Sequence, residues 1–316
     1  MRYLTIRALL FAVVPAAVLG CGERSNPPAA MRVVSSSLLP TRTFEASEPV
    51  EADSTTRLVF RATMSEAIAD SLHREEIGEI MQRVGTRFLG ATYTAGLLDA
   101  PDEEELVISL EEFDCVLFVE AVLALSQGIV DRDTTFAGFA GRLERMRYRE
   151  GQLDGYCSRL HYFSEWIHDN EEKGLVYNIT LALGGLRADS RLDFMSSNRE
   201  LYVRLAEDDS LFRGIRSMEA SLSALDRWYV PQSRIRSLYP KLRAGDIVAT
   251  ATTVAGLDVS HSGLVYDHGD GRIGFLHAST SDGVTVAEDL SEYVTANRAT
   301  MGIVVARPVD VRNGHD

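Results

Sequence analysis

The chain has 316 residues, enough for one large domain or two ordinary ones. Hydrophobic content of 45% and charged content of 25% are ordinary globular values, which excludes a fibrous or wholly disordered chain. A formal charge of −14, from 46 acidic against 32 basic residues, repels phosphate backbones and anionic bilayers, so no nucleic-acid partner is expected. The 3 cysteines, Cys21, Cys115 and Cys157, cannot make a disulfide framework, and no C-x-x-C pair points to a zinc ribbon.

The first twenty residues read as an address. Arg2 and Arg7 are basic, and Ala8 to Leu19 is an apolar run interrupted only by Pro15. Such a run is too short for a hydrocarbon core that needs about 20 apolar residues, and it fits a secretory signal. Val18-Leu19-Gly20-Cys21 then resembles the lipobox of bacterial lipoproteins, which implies lipidation of Cys21 and a membrane anchor through that lipid alone. The alternative is an ordinary signal peptide cut after a small residue. Residues 21–55 are rich in Ser, Pro, Ala, Glu and Thr and show no period, which predicts a flexible tether.

Residues 56–316 divide into a helical part and a strand part. Between Met64 and Leu89, Ile68, Leu72, Ile77, Ile80, Met81, Val84 and Phe88 recur at helical spacing. A second helix is expected from Asp114 to about Leu125. A third covers Phe136 to about Tyr148, with Arg142, Arg145, Arg147 and Arg149 read as a solvated basic face. A fourth begins near His161, and Val176 to Leu183 alternates as a strand does. From Gly245 onward short strands follow at 247–252, 259–266, 272–279, 284–286 and 302–307, separated by turn clusters, so an antiparallel sheet and an α+β class are predicted.

Gly269-Asp270-Gly271-Arg272-Ile273-Gly274 matches a dinucleotide-binding pattern, but a strand follows it where that signature needs a helix. The glycines therefore mark a hairpin. If its turn is centred on Gly269, His261 and His277 lie directly opposite on one face. Two facing imidazoles are hard to explain as core, because each needs a polar partner or costs about 1–3 kcal/mol. A one-residue slip would part them. Cys115 follows Asp114, a natural N-cap, and so occupies a first helical turn where backbone N–H groups favour a thiolate and can bind an oxyanion. Glu111, Glu112 and Asp114 oppose that thiolate, so an imidazole is needed beside it. Cys157 has no such setting and reads as structural.

Phe113-Asp114-Cys115, Leu242-Arg243-Ala244-Gly245-Asp246-Ile247-Val248, Ser260-His261-Ser262-Gly263 and His277-Ala278-Ser279 together resemble the NlpC/P60 cysteine hydrolases of bacterial peptidoglycan. That resemblance implies a papain-like fold in which a helix-borne Cys packs on a small antiparallel sheet. Leu89-Gly90-Ala91-Thr92-Tyr93 resembles the segment that sets a Tyr beside the nucleophile, with Thr92 where Pro is usual. The long separation of Cys115 from His261 implies a large, mostly helical insertion over about 128–240. With 159–166 and 256–261, it resembles the branch catalogued as domain of unknown function 1460, described as N-acetylmuramoyl-L-alanine amidase-like. The resemblance covers residues 64–308.

By that resemblance Cys115 attacks an amide carbonyl, His261 shuttles the proton, His277 orients His261, and Tyr93 with the Cys115 N–H holds the oxyanion. No cofactor and no metal are implied, and the partner is a peptidoglycan fragment met at the periplasmic face of a membrane, by analogy the outer one. Arg159, Tyr162, Trp166 and Asn170 share a helical face and read as a substrate cleft or as core. The resemblance favours the cleft, and it adds His161, Asp258 and Ser260 to the binding set. Three alternatives stay open: a stem-peptide endopeptidase of the same superfamily, a zinc hydrolase using His261, His277 and a cysteine, and a non-catalytic wall-binding lipoprotein.

Overall fold

The computed structural model describes residues 53–310 and Arg312. The signal segment, Cys21 and nearly all of the tether lie outside those residues. Helix α1 (Ser54–Ala69) starts within the stretch read as tether, and it ends where Ser71 takes a left-handed conformation at φ 58°. The apolar period from Met64 is therefore not one helix. A short turn separates α1 from α2 (Ile77–Thr86), which buries Ile77, Ile80, Met81 and Val84 on one face. Two-residue strands β1 (Thr92–Tyr93) and β2 (Glu112–Phe113) pair in parallel and lead into α3 (Cys115–Asp131).

Helix α3 is the centre of the molecule. Every residue from Leu117 to Val130 is buried, which is the behaviour expected of a helix that is apolar all round. Asp114 caps it: its Oδ1 accepts hydrogen bonds from the Val116 N–H at 2.9 Å and the Leu117 N–H at 2.7 Å. Helix α4 (Phe136–Arg147) and α5 (Phe163–Glu172) pack beside it. The chain then runs through β3 (Val176–Asn178), β4 (Leu186–Arg187), α6 (Phe194–Ser197), α7 (Val203–Glu207), α8 (Asp209–Leu222) and β5 (Trp228–Pro231). The remaining elements are β6 (Ile247–Thr252), β7 (Val259–Asp267), β8 (Ile273–Ser279), β9 (Gly283–Ala287), α9 (Leu290–Ala296) and β10 (Thr300–Pro308).

The main sheet runs β4-β5-β10-β6-β7-β8-β9, with β3 also paired to β10, and every one of its pairings is antiparallel. Strands β6 to β10 lie within two residues of those expected from the sequence. The segment 128–240 is not an appendage, because its strands β3 and β5 hydrogen-bond to β10 and β4 extends β5. One core cluster joins α1–α5 to the sheet face that carries Ile247, Leu264 and Leu276. A second, on the opposite face, gathers Val265, Phe275, Ile303 and α9. A third lies within residues 128–240, around Tyr162, Met195, Leu205 and Ile215.

The arginines expected on a solvated face are engaged instead. Arg147 is 2% exposed and its Nε donates to Glu120 on α3 at 2.7 Å, while Arg142 pairs with Asp131 and Asp133 and Arg149 with Glu165. A buried carboxylate on the central helix requires a cation, and Arg147 supplies it.

Candidate active site

The β7–β8 register fixes the histidine pair. Leu264, Val265, Tyr266 and Asp267 face Leu276, Phe275, Gly274 and Ile273, so the turn is centred on Asp270 and not on Gly269. Two side-chain bonds shape it: Asp267 Oδ1 accepts from the Gly269 N–H and Asp270 Oδ1 from the Arg272 N–H. Relative to the expected register β8 is shifted by two residues. A shift of two keeps each side chain on its face, so the histidines become diagonal neighbours on the same face. Gly263 then stands opposite His277, and a Cβ there would lie 2.7 Å from the His277 Cβ. The missing side chain gives the His277 ring its place. Its Nδ1 lies 2.8 Å from His261 Nε2, with the rings nearly perpendicular at 87°.

His261 sits beside an irregularity. It pairs with Thr250, whereas Val259 pairs with Ala251, so Ser260 is an extra residue in β7. Bulges of this kind re-aim neighbouring side chains. Ser260 is exposed, and its hydroxyl lies 3.2 Å from Thr250 Oγ1. On the other side of His261, the buried Ser262 hydroxyl donates to the Cys115 carbonyl at 3.1 Å. Consecutive residues of β7 therefore hold the thiol-bearing turn and the imidazole pair. Among the described residues no hydrogen bond joins the Cys115 sulfur to either imidazole.

Burial sets the protonation states. It pushes the Cys115 thiol up to about 11, with the Asp114 carboxylate adding to the effect. The nearby polar groups of Ser262 and the Cys115 N–H pull the other way. The helix terminus alone thus does not make a thiolate here. Burial also lowers His261 to about 4 and His277 to about 3, the latter helped by repulsion from His261. The resting set is a neutral thiol and two neutral imidazoles.

Two tyrosines border the thiol. Tyr93, placed by β1 beside the Cys115 turn, has its phenol raised by burial and then by negative charge on Cys115. Tyr293 on α9 was not singled out from the sequence. Burial and then Cys115 push it up to about 12, and its ring centroid lies 4.7 Å from His277 and 6.2 Å from His261. Only its place in a helix that folds back over β8 reveals it, and no motif marks that.

The expected binding face is otherwise disposed. Helix α5 begins at Phe163, so Arg159 is not on it. Trp166 is 1% exposed and donates through Nε1 to Glu120 at 3.0 Å; Asn170 is fully buried and donates to the Met146 and Trp166 carbonyls. Tyr162 is buried, donating to Glu219 at 2.8 Å and accepting from the Met195 N–H at 3.1 Å. Arg159, 4% exposed, donates to the Leu98 carbonyl and pairs with Asp99 and Glu104. These four side chains are buried and their polar atoms are spent on partners within the protein: Trp166 and Asn170 toward α3 and α4, Tyr162 toward α8, and Arg159 toward residues 98–104. His161 is kept neutral by burial, lowered to about 3, with Nε2 2.9 Å from the Tyr156 carbonyl. Asp258 caps α5 from a distance, accepting from the Ser164 N–H at 2.7 Å. Cys157, the other free thiol among the described residues, rests 3.7 Å from the Leu211 carbonyl.

The two imidazoles hydrogen-bond each other, so His261 Nε2 and His277 Nδ1 are engaged with one another. Among the described residues no group of three or more His, Cys, Asp or Glu converges as a metal site, and no helix is long and apolar enough to cross a membrane.

A family model described as N-acetylmuramoyl-L-alanine amidase-like matches residues 83–303. Among solved structures, an N-acetylmuramoyl-L-alanine amidase from Bacteroides uniformis superposes with a TM-score of 0.70 at 33% identity, covering 74% of this chain and 100% of that one. A Bacteroides fragilis protein provisionally described as a xylanase is 35% identical, with a TM-score of 0.66 over 71% of this chain and 98% of that one. A Legionella pneumophila protein assigned to domain of unknown function 1460 shares the fold, with a TM-score of 0.62 at 18% identity over 82% and 97% of the two chains. No curated protein sequence matches the chain. A family match over most of the described residues, joined to full coverage of a relative at 33% identity, places it: the chain belongs to the N-acetylmuramoyl-L-alanine amidase-like family.

Proposed function

We propose that the chain hydrolyses the amide between the muramoyl lactyl carbonyl and L-Ala in peptidoglycan fragments, with Cys115 as nucleophile, in the manner of papain-like NlpC/P60 hydrolases. The observation that carries this is the 2.8 Å bond between His261 Nε2 and His277 Nδ1 beside a cysteine at a helix start. If Nε2 of His261 donates to His277, its Nδ1 carries the free lone pair and is the base. His277 is thereby the orienting residue.

The steps follow from neutral partners. His261 Nδ1 takes the thiol proton as the sulfur attacks the carbonyl carbon, a contact that catalytic pairs commonly tighten only with substrate bound. The oxyanion forms at the helix start, next to the Cys115 N–H and the Tyr93 hydroxyl. Collapse breaks the C–N bond, and the amine leaves with the proton from His261. A water, deprotonated by His261, then cleaves the thioester and the thiol is restored. Neither half-reaction needs a cofactor. Glycoside hydrolysis, by contrast, calls for two facing carboxyl groups about 5–10 Å apart, and the groups gathered here are a thiol, imidazoles and phenols.

The basic and apolar start of the chain with Cys21 supports export and lipid attachment, so that the enzyme meets released muropeptides at a periplasmic membrane face. The test is mass spectrometry of products from purified muropeptides. Wild type should release an intact stem peptide with a free L-Ala amine, and Cys115→Ala should be folded and inactive. Products that retain muramoyl-L-Ala, or turnover by Cys115→Ala, would overturn the proposal.

A further inference from the structure

We infer that the pocket on the α9 side of His261 receives the leaving stem peptide and that Arg298 binds a carboxylate on it. The inference rests on the amidase assignment above and names the side of the substrate that this surface reads. The pocket has a volume of about 440 Å³ and is lined by Thr250, His261, Tyr293, Asn297, Arg298 and Thr300, among others. That is within the range of small-molecule sites, roughly 300–1,000 Å³.

Its charge is unusual for this protein. Burial keeps His261 neutral, so Arg298 is the one ionised side chain among the described residues that line it. Two other cavities, one bordered by Glu171, Asp226 and Asp258 and another by Glu76, Glu79 and Asp267, carry several carboxylates each. In a chain with a net charge of −14, a cationic pocket against the catalytic base is a selective feature.

The position of Arg298 is fixed by its neighbours. The Ala299 N–H donates to Asn297 Oδ1 at 3.0 Å and the Thr300 N–H to the Asn297 carbonyl at 3.1 Å. The Ala299 carbonyl accepts from the Thr253 N–H at 2.7 Å and from Thr252 Oγ1 at 3.0 Å. The backbone that carries Arg298 is thus pinned on both sides, and its side chain stands exposed at the pocket edge.

Chemistry decides which fragment goes there. His261 must hand its proton to the leaving nitrogen, so the amine fragment departs past His261 while the acyl fragment stays on Cys115. The fragment beside His261 is the stem peptide, and its second residue carries a free carboxylate, or a carboxamide where that group is amidated. Arg presents the fork that fits a carboxylate.

The test compares two muramoyl dipeptides that differ only in that group, D-glutamate against D-isoglutamine, in wild type, Arg298→Lys and Arg298→Ala. Wild type should favour the carboxylate in kcat/KM by about tenfold, mostly through KM, because the charge-assisted Arg–carboxylate bond is formed only with that substrate and is partly screened by solvent. Arg298→Lys, which keeps the charge but loses the fork, should keep only part of that ratio, and Arg298→Ala should bring it close to one. A wild-type ratio near one, or an unchanged ratio in Arg298→Ala, would overturn the inference while the amidase assignment stands. Failure of wild type to release peptide from either compound would overturn both.

Discussion

Gly263 on β7, two residues after His261, leaves room for the His277 side chain, and Gly263→Ala should uncouple catalysis from folding. A Cβ at this position would lie 2.7 Å from both the His277 Cβ and the Leu276 carbonyl oxygen, and 2.8 Å from Phe275 Cε2. Ordinary contacts begin near 3.4 Å, so β8 or the His277 ring must yield by somewhat under an ångström. The Leu276 carbonyl belongs to a paired strand and cannot turn away, which leaves His277 to move. Its bond to His261 at 2.8 Å then lengthens or is lost. A misplacement of about 1 Å in a catalytic group costs on the order of a hundredfold in rate, and overpacking costs about 1–3 kcal/mol of stability. For a domain of this size that is a fall of roughly 2–12 °C in Tm. Gly85→Ala is the control, because its Cβ would press on Leu276 Cδ2 at 2.8 Å from the other face, against a flexible side-chain end. Steady-state release of stem peptide together with differential scanning fluorimetry separates the two effects. Gly263→Ala should lose about two orders of magnitude in kcat, and Gly85→Ala should stay within about twofold. Equal kcat in Gly263→Ala and wild type, or an equal loss in both variants, would refute the role given to the imidazole pair.

Glu120→Ala removes the acceptor of Arg147 and of the Trp166 indole and should cost about 3–5 kcal/mol in urea unfolding, with kcat of the surviving folded fraction little changed. Arg159→Ala should lower Tm, by a loss on the order of 3 kcal/mol, and leave KM near its wild-type value, since its guanidinium is spent on Leu98, Asp99 and Glu104; a large KM change at constant Tm would restore the cleft assignment. Stability should fall with pH below the ordinary histidine value of 6.5, because His161, His261 and His277 stay neutral when folded, with values of about 3, 4 and 3. In that window the unfolded chain binds protons that the folded chain does not, so each histidine contributes a slope of up to about 1.4 kcal/mol per pH unit, lost as pH drops toward 4. Urea midpoints between pH 7 and pH 5 that do not move would contradict those neutral imidazoles.

The central strands were legible because they obey a period of two and are bounded by turn residues, and the Asp114 cap announced α3. What sequence could not supply was pairing distance. The hairpin loop held five residues, and its Asp267 and Asp270 side-chain bonds placed the centre one position later than the glycines suggest. The face of each histidine survived because the displacement was even. The error at Arg159, Tyr162, Trp166 and Asn170 had a different origin. Aromatic and polar residues at helical spacing look alike whether they line a cleft or satisfy a buried carboxylate, and Glu120, the group that explains Trp166, lies 46 residues away. Tyr293 carried no signal at all, since its meaning depends on α9 closing over β8.

That misassignment changes what the inserted segment is for. Glu120 lies on the helix that begins with Cys115, and both of its oxygens are engaged by the insert, Oε2 by Arg147 and Oε1 by Trp166. Asn170 ties α5 to α4 through the Met146 carbonyl, and Asp258, close before His261, caps α5 at Ser164. The segment 128–240 therefore holds the Cys115 helix from behind, and Asp258 links its helix α5 to the strand that carries His261. Removing it would strand Glu120 in the core and release β10 from β3 and β5, so the segment is part of the skeleton that holds the Cys115 helix. On the proposed function, selectivity then falls to the surface on the α9 side, where His261, Tyr293 and Arg298 border one pocket.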